Sequence, residues 1–262
     1  LIRGGKPVTR RLLDVPNLFI RRVLSDPRLE GLDGELVAAE VSDPECFSKT
    51  SSAVRRVHGE PDFTYYVFDR WDLGKLPFED RKIALEVMEL PPYIKVVQQE
   101  WVESHDELQA MYEKLLEDGL EGVITKSASG LYKWGRSTLN QNWTCKLKPR
   151  VDSEALILQM FEQEENTNVA TVNELGHTKR SSAKAGKVGK GTMGRWLVRD
   201  IYSLKEFFIG TGPMLTDKAR QEFFDDPTTC LGHIIRYSSC PIGVKDLPRQ
   251  PVAEAFRGPE DL

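Results

Sequence analysis

Lys146 and Lys148 stand two apart in Thr144-Cys145-Lys146-Leu147-Lys148, and the period of two in a β-strand puts both ammonium groups on one face. They belong to residues 123–151, which carry six cations (Lys126, Lys133, Arg136, Lys146, Lys148 and Arg150) and no carboxylate. Two further stretches are poor in acid. Residues 175–199 hold seven cations, among them Lys179, Arg180, Lys184 and Lys187, and no acid, while residues 1–28 hold seven against Asp14 and Asp26. One such run is as readily a solvated face as a binding one. Three of them in a chain of net charge −4 are what an acidic protein needs to track phosphates, so they point to a polyanion partner. The compensating acid lies in residues 40–118, with 18 Asp/Glu against nine Lys/Arg.

Four other short elements precede the lysine pair: Thr9-Arg10, then Leu32-Asp33-Gly34-Glu35-Leu36, then Tyr65-Tyr66-Val67-Phe68-Asp69, then Glu121-Gly122-Val123-Ile124. Each alone is commonplace, a turn into a strand or a buried aromatic strand. Their joint order is far more specific. Other chemistries are disfavoured. Cys46, Cys145, Cys230 and Cys240 form no C-x-x-C pair and the four histidines no H-x-H or H-E-x-x-H spacing, so a structural zinc site is not expected and a reducing compartment suits the chain. No apolar run approaches ~18 residues and the N-terminus has no signal-peptide pattern. A soluble, intracellular protein with no membrane partner is expected.

The 262 residues, 40% apolar and 29% charged, make one large domain or two modest ones and exclude a disordered tail or a disulfide scaffold. Alternating or β-branched runs predict strands at 34–41, 63–68, 94–99, 122–125, 143–147, 155–161, 192–198, 207–210 and 232–237. Helical spacing predicts helices over 17–24, 78–90, 106–118 and 217–224, with Ser104 and Thr216 as N-caps and Asp118-Gly119 as a stop. The pattern is α+β in the first part and mostly β in the second. The boundary falls at Lys148-Pro149-Arg150, giving units 1–150 and 151–262. Residues 166–190 are polar and poor in large apolar side chains, hence either a disordered insertion or a projecting loop that orders on a partner. The chain opens inside a hairpin, Leu1-Ile2-Arg3 turning at Gly4-Gly5 into Lys6-Pro7-Val8.

Taken together, these motifs resemble those of the ATP-dependent DNA ligases, within the covalent nucleotidyltransferase superfamily that also holds the mRNA capping enzymes, and most nearly the minimal ligases of the Chlorella virus type. The likeness runs over essentially the whole chain. It is carried by Val8-Thr9-Arg10, Asp33-Gly34-Glu35, Phe68-Asp69, Glu121-Gly122-Val123 and Lys146-Leu147-Lys148. Tyr132-Lys133-Trp134-Gly135-Arg136-Ser137-Thr138 resembles the family's phosphate-contacting segment, and Phe47 to Val54 another recurring stretch. Lys245-Asp246-Leu247-Pro248-Arg249 and Phe256-Arg257-Gly258-Pro259-Glu260-Asp261 resemble its C-terminal motif.

The resemblance implies an α+β nucleotidyltransferase (adenylation) domain followed by a β-rich OB-fold domain with a latch-like β-hairpin insertion at about residues 163–190. It implies ATP and Mg²⁺ as cofactors and nicked duplex DNA as partner of a monomer, with sealing of 3′-OH/5′-phosphate nicks through enzyme-AMP and DNA-adenylate. Phe68 would stack on adenine, Glu35 would meet the ribose or hold the polar network, and Glu121, with Glu35, would bind Mg²⁺. Lys146 and Lys148 would sit on the α-phosphate. Thr9, Arg10, Lys133 and Arg136 would grip the nick phosphate, Arg10 also contributing to the nucleotide site. Arg249, Arg257 and Asp261 would orient the leaving pyrophosphate, and Lys179, Arg180, Lys184 and Lys187 would meet DNA from the latch.

The chain departs from the family in one respect: its nucleophile is the Lys of K-x-D-G-x-R, and no K-x-D-G occurs here. In the family that motif stands shortly before the arginine matched by Arg10, so the lysine is expected upstream of Leu1. Two alternatives share these features: guanylyltransfer or RNA ligation on the same scaffold, and a non-catalytic clamp that binds nicks.

Overall fold

A computed structural model describes residues 1–135, 137–138, 140–240 and 247–258. The chain divides into two compact units, Leu1–Lys148 and Pro149–Leu262. In the first, α1 (Leu18–Val23), β1 (Leu32–Val37), α2 (Cys46–Arg55), β2 (Thr64–Arg70), α3 (Phe78–Glu86), β3 (Ile94–Val96), α4 (His105–Glu117), β4 (Val123–Lys126) and β5 (Thr144–Leu147) follow in order. They make one sheet ordered β1-β2-β3 and a second of β4 and β5. The buried residues of β2 alternate, Tyr65, Val67 and Asp69, as a strand covered on one face requires. Tyr65 and Val67 pack with Ile20, Leu24, Leu32 and Leu85 to form the core of this unit.

The local signals for α4 operate as expected. Ser104 Oγ accepts from the Glu107 amide at 3.2 Å, the Glu107 carboxylate reaches back to the Glu103 amide at 2.9 Å, and Gly119 ends the helix at φ +79°. Helix α3 stops at Glu86 rather than continuing to residue 90, since Pro91 and Pro92 lie ahead and disfavour helix before them. Residues 46–55 form a helix that periodicity does not announce. Glu45 gives α2 no side-chain cap, and its Ser/Thr content favours turns over helix interiors. Tertiary contact holds it instead: Thr50 Oγ1 accepts from the Ala38 amide at 3.0 Å, and the buried Asn17 side chain donates to the Arg56 carbonyl at 2.9 Å.

The second unit is one antiparallel sheet ordered β10-β9-β6-β11-β12, built from β6 (Val151–Asn166), β9 (Lys187–Asp200), β10 (Glu206–Ile209), β11 (Ile234–Cys240) and β12 (Arg249–Phe256), with helix α5 (Asp217–Asp225) packed on it. Trp196, Ile157, Ile209, Ile235 and Phe223 fill its core. The Arg220 guanidinium on α5 donates to four main-chain carbonyls, those of Leu215, Met193, Gly194 and Gly210. One side chain thereby joins α5 to β9 and the end of β10.

The polar insertion is an ordered β-hairpin. Strands β6 and β9 leave the sheet and stay paired as far as Asn166 opposite Lys187. Beyond, β7 (Ala170–Val172) and β8 (Thr178–Arg180) pair to close the tip. The Asn168 amide donates to the carbonyls of Ser181 and Ala183, at 3.1 and 2.8 Å, and ties the two arms together. The side chains of β7 and β8 are all exposed, so pairing and amide bridges rather than an apolar core keep the hairpin in shape.

Candidate active site

The floor of the candidate site is the β1–β2 pair. Its register shifts between Asp33 and Gly34, so that Asp33 faces Asp69 while Gly34 faces Val67. Phe68 is therefore the extra residue of a β-bulge, a device that bends a strand and re-aims a side chain. Glu35 lies opposite Tyr66 and shares its face, the face on which Phe68 also lies half-buried. Gly34 is needed for close approach: a Cβ there would lie 2.3 Å from the Tyr66 carbonyl oxygen.

Beneath Phe68 lies a buried charge cluster. Asp69 and Arg81 are 5% and 2% exposed. The guanidinium fork of Arg81 meets both Asp69 oxygens, at 2.7 and 3.2 Å. Lys126 Nζ donates to the second of these oxygens at 2.8 Å and to the Phe68 carbonyl at 3.0 Å, and lies 5.1 Å from the Phe68 ring centroid. Burial alone would raise the pKa of Asp69, but Arg81 and Lys126 overbalance it and hold the carboxyl below the ordinary carboxylate range. Burial pushes the Lys126 ammonium down, partly offset by Asp69. Asp33 is raised by its own burial, against the hydroxyl that Tyr132 donates to it at 2.8 Å. That bond fastens Tyr132 to strand β1.

The β4–β5 pair brings the last two motifs together. Val123 faces Leu147 and Ile124 faces Lys146, which leaves Glu121 beside Lys148, and their side chains form an ion pair. Gly122 makes this possible, with φ +126° and a Cβ position 2.2 Å from the Leu147 carbonyl oxygen. Lys146 is exposed and forms no ion pair among the described residues, while Lys148, also exposed, is held against Glu121. Among the described residues no three His, Cys, Asp or Glu side chains are grouped as metal ligands. Glu121 and Glu35 are each solvent-accessible carboxylates, the donor type that a hard cation such as Mg²⁺ takes.

The remaining sequence-predicted residues divide by position. Thr9 caps its own turn, Oγ1 accepting from the amides of Arg11 and Leu13, and Arg10 is exposed at the tip. Lys133 donates to Thr138 Oγ1 at 3.5 Å and also to Gln141. In the second unit Arg249 opens β12, and Arg257 pairs with Glu154 at 2.8 Å. On the hairpin Lys179 and Lys184 are exposed, Arg180 donates to the Asn168 carbonyl and Lys187 pairs with Glu164 at 3.4 Å. Arg136 and Asp261 lie outside the described residues. Sequence reasoning missed Arg81, although a signal was present: Phe78, Arg81 and Leu85 are the buried residues of α3, at i, i+3 and i+7, so the arginine occupies a core position on the helix.

An α+β unit with these motifs on paired strands, followed by a five-stranded OB-fold unit with a hairpin insertion, is the two-domain plan of a covalent nucleotidyltransferase. The chain belongs to the ATP-dependent DNA ligase family: the family described as ATP dependent DNA ligase domain matches residues 2–148. A DNA ligase of Thermococcus onnurineus (strain NA1) is 26% identical over 221 residues, covering 78% of this chain and 38% of that protein. The chain thus spans well under half the length of this curated relative. Similar solved structures include one described as DNA binding with a minimal scaffold in Lig E DNA ligases, 23% identical, covering 86% of this chain and 76% of that one at TM-score 0.62. Another is Chlorella virus DNA ligase-adenylate, 26% identical, covering 99% of this chain and 88% of that one at TM-score 0.49. Among the described residues no helix is long and apolar enough to cross a membrane.

Proposed function

We propose that this chain acts in an ATP-dependent DNA ligase that seals 3′-OH/5′-phosphate nicks in duplex DNA. The observation that carries this reading is the β4–β5 juxtaposition, Glu121 against Lys148 with Lys146 exposed, in a chain of the ligase family. In the sealing step the DNA 3′-hydroxyl attacks the 5′-phosphorus of an adenylylated nick. The new 3′-O–P bond forms as the bond from that phosphorus to AMP breaks, and the hydroxyl proton leaves to water. Such in-line transfer needs little from the protein beyond positioning and charge neutralisation.

Lys146 and Lys148 supply fixed positive charge where the phosphates crowd, and Phe68 offers a ring face to adenine. Glu35 meets the ribose. Arg10, Lys133 and Arg136 grip the nick phosphate, and Arg249, Arg257 and Asp261 orient the pyrophosphate of ATP during adenylylation. Glu121 and Glu35 would hold Mg²⁺, which would supply positive charge at the phosphates. The test is a pre-adenylylated nicked duplex, whose sealing requires no enzyme lysine adduct. The 262-residue chain is expected to seal it; binding without sealing would overturn the reading in favour of a nick-binding clamp, and sealing only of RNA ends would favour the RNA enzymes.

The hairpin is the proposed DNA latch. Replacing residues 167–186 by a two-residue turn that joins Asn166 to Lys187, already paired, removes Lys179, Arg180 and Lys184. Nicked-DNA affinity is expected to fall, and the slope of log K against log salt to become shallower by up to about 3. Equal affinity at every salt concentration would contradict a latch role.

A further inference from the structure

We infer that Arg81 is a positioning residue for the adenine platform: through Asp69 and Lys126 it fixes where the Phe68 ring lies. This rests on the ligase reading above. The contacts form an unbroken series. Arg81 Nε and Nη2 hold the two Asp69 oxygens, Asp69 holds Lys126 Nζ at 2.8 Å, and Lys126 holds the Phe68 carbonyl at 3.0 Å. The same carbonyl accepts from Gln99 Nε2 at 3.0 Å.

Phe68 is the bulge residue, and a bulge disrupts the local ladder. Its direction therefore depends on what else holds its main chain, and its carbonyl is held by Lys126 and Gln99. Arg81 has a second attachment: its Nη1 donates to the carbonyls of Leu76 and Gly130, at 2.6 and 3.0 Å. Gly130 closes the turn just before Tyr132 and Lys133, so one guanidinium sets the register of both the aromatic motif and the start of the phosphate-contacting segment.

A stability role alone explains this poorly. The side chains of Arg81, Asp69 and Lys126 are 3%, 6% and 15% exposed, and a buried ionic array is often no more stable than apolar residues of the same volume. What such an array gives in addition is fixed direction, since a guanidinium fork meets a carboxylate in few geometries. Arg81 is 2% exposed, so it acts through its neighbours.

A pre-adenylylated nicked duplex with 2-aminopurine in place of adenine in the 5′-5′ adenylate tests this, because stacking of that base on an aromatic ring quenches its fluorescence. The wild-type chain is expected to quench it and to seal. Arg81→Met and Lys126→Met, at saturating DNA, are expected to lose most of the quench and to seal at least about tenfold more slowly, the scale expected of a misplaced reacting group. Affinity for the nick itself should stay near wild type. Arg81→Lys, which keeps the charge without the fork, should recover part of both signals. Arg81→Met that melts at lower temperature but quenches and seals normally while folded would overturn the inference. Where Arg81→Met does not fold, Lys126→Met decides alike, because it leaves the Arg81–Asp69 pair in place. A wild-type chain that neither quenches nor seals overturns the ligase reading itself, and this inference with it.

Discussion

Replacing Gly122 by alanine is expected to destabilise the first unit by about 2–6 kcal/mol, adding a strained left-handed backbone to an overpacked contact. The backbone at φ +126° belongs to glycine, and the added methyl would lie 2.2 Å from the main-chain oxygen of Leu147. Alanine has no rotamer that moves its methyl off the Leu147 oxygen, so β4 and β5 must separate. Separation parts Glu121 from Lys148, and sealing of a pre-adenylylated nick should fall even at temperatures where the variant stays folded. Denaturant unfolding gives the first quantity and single-turnover sealing the second. A variant with wild-type stability and rate would show that the two strands have no need of this close approach.

Replacing Asp69 by alanine is expected to cost about 3–5 kcal/mol, the penalty for leaving buried charge uncompensated. Arg81 and Lys126 would then face each other across an empty position. The pH dependence has a definite sign. The folded pKa of Asp69 lies below the ordinary 3.8, so its contribution is complete above that value and is lost as pH falls through the depressed folded value. Asp33 acts oppositely. Its folded pKa is raised above 3.8, so it costs stability as pH rises from 3.8 through that value. Acid unfolding of wild type, Asp69→Asn and Asp33→Asn separates the two: Asp69→Asn should flatten the acid limb, and Asp33→Asn should stabilise the protein at neutral pH relative to acid. Identical acid limbs for wild type and Asp69→Asn would show that Asp69 contributes no such stability.

Much of this site can be read from residue order alone, because each motif is bound to a local constraint. Asp33-Gly34-Glu35 and Glu121-Gly122-Val123 both carry a glycine where two main chains nearly touch, and Ser104 and Thr216 cap helices with short-range bonds that depend on nearby sequence only. The unread parts depend on distant residues. Helix α2 has a weak local signal and is held by Asn17 and Ala38. Strand β12 contains Pro251, and Gln250 at φ +53°; both break a strand pattern and are tolerated because β12 is the edge strand. Arg81 sits among Glu79, Asp80 and Lys82, a run that reads as a solvated helix face until the helical period is counted.

Strands β6 and β9 run from the core of the second unit into the hairpin, with register shifts between Ile157 and Glu164, and their pairing constrains how the reach of this arm can change between relatives. Each added two-residue step on both strands lengthens it by about 6.8 Å and keeps every cation on its original side. An odd step turns the cations to the opposite side. Length variants among related ligases should therefore differ by even numbers of residues per strand, or carry an extra bulge where they do not.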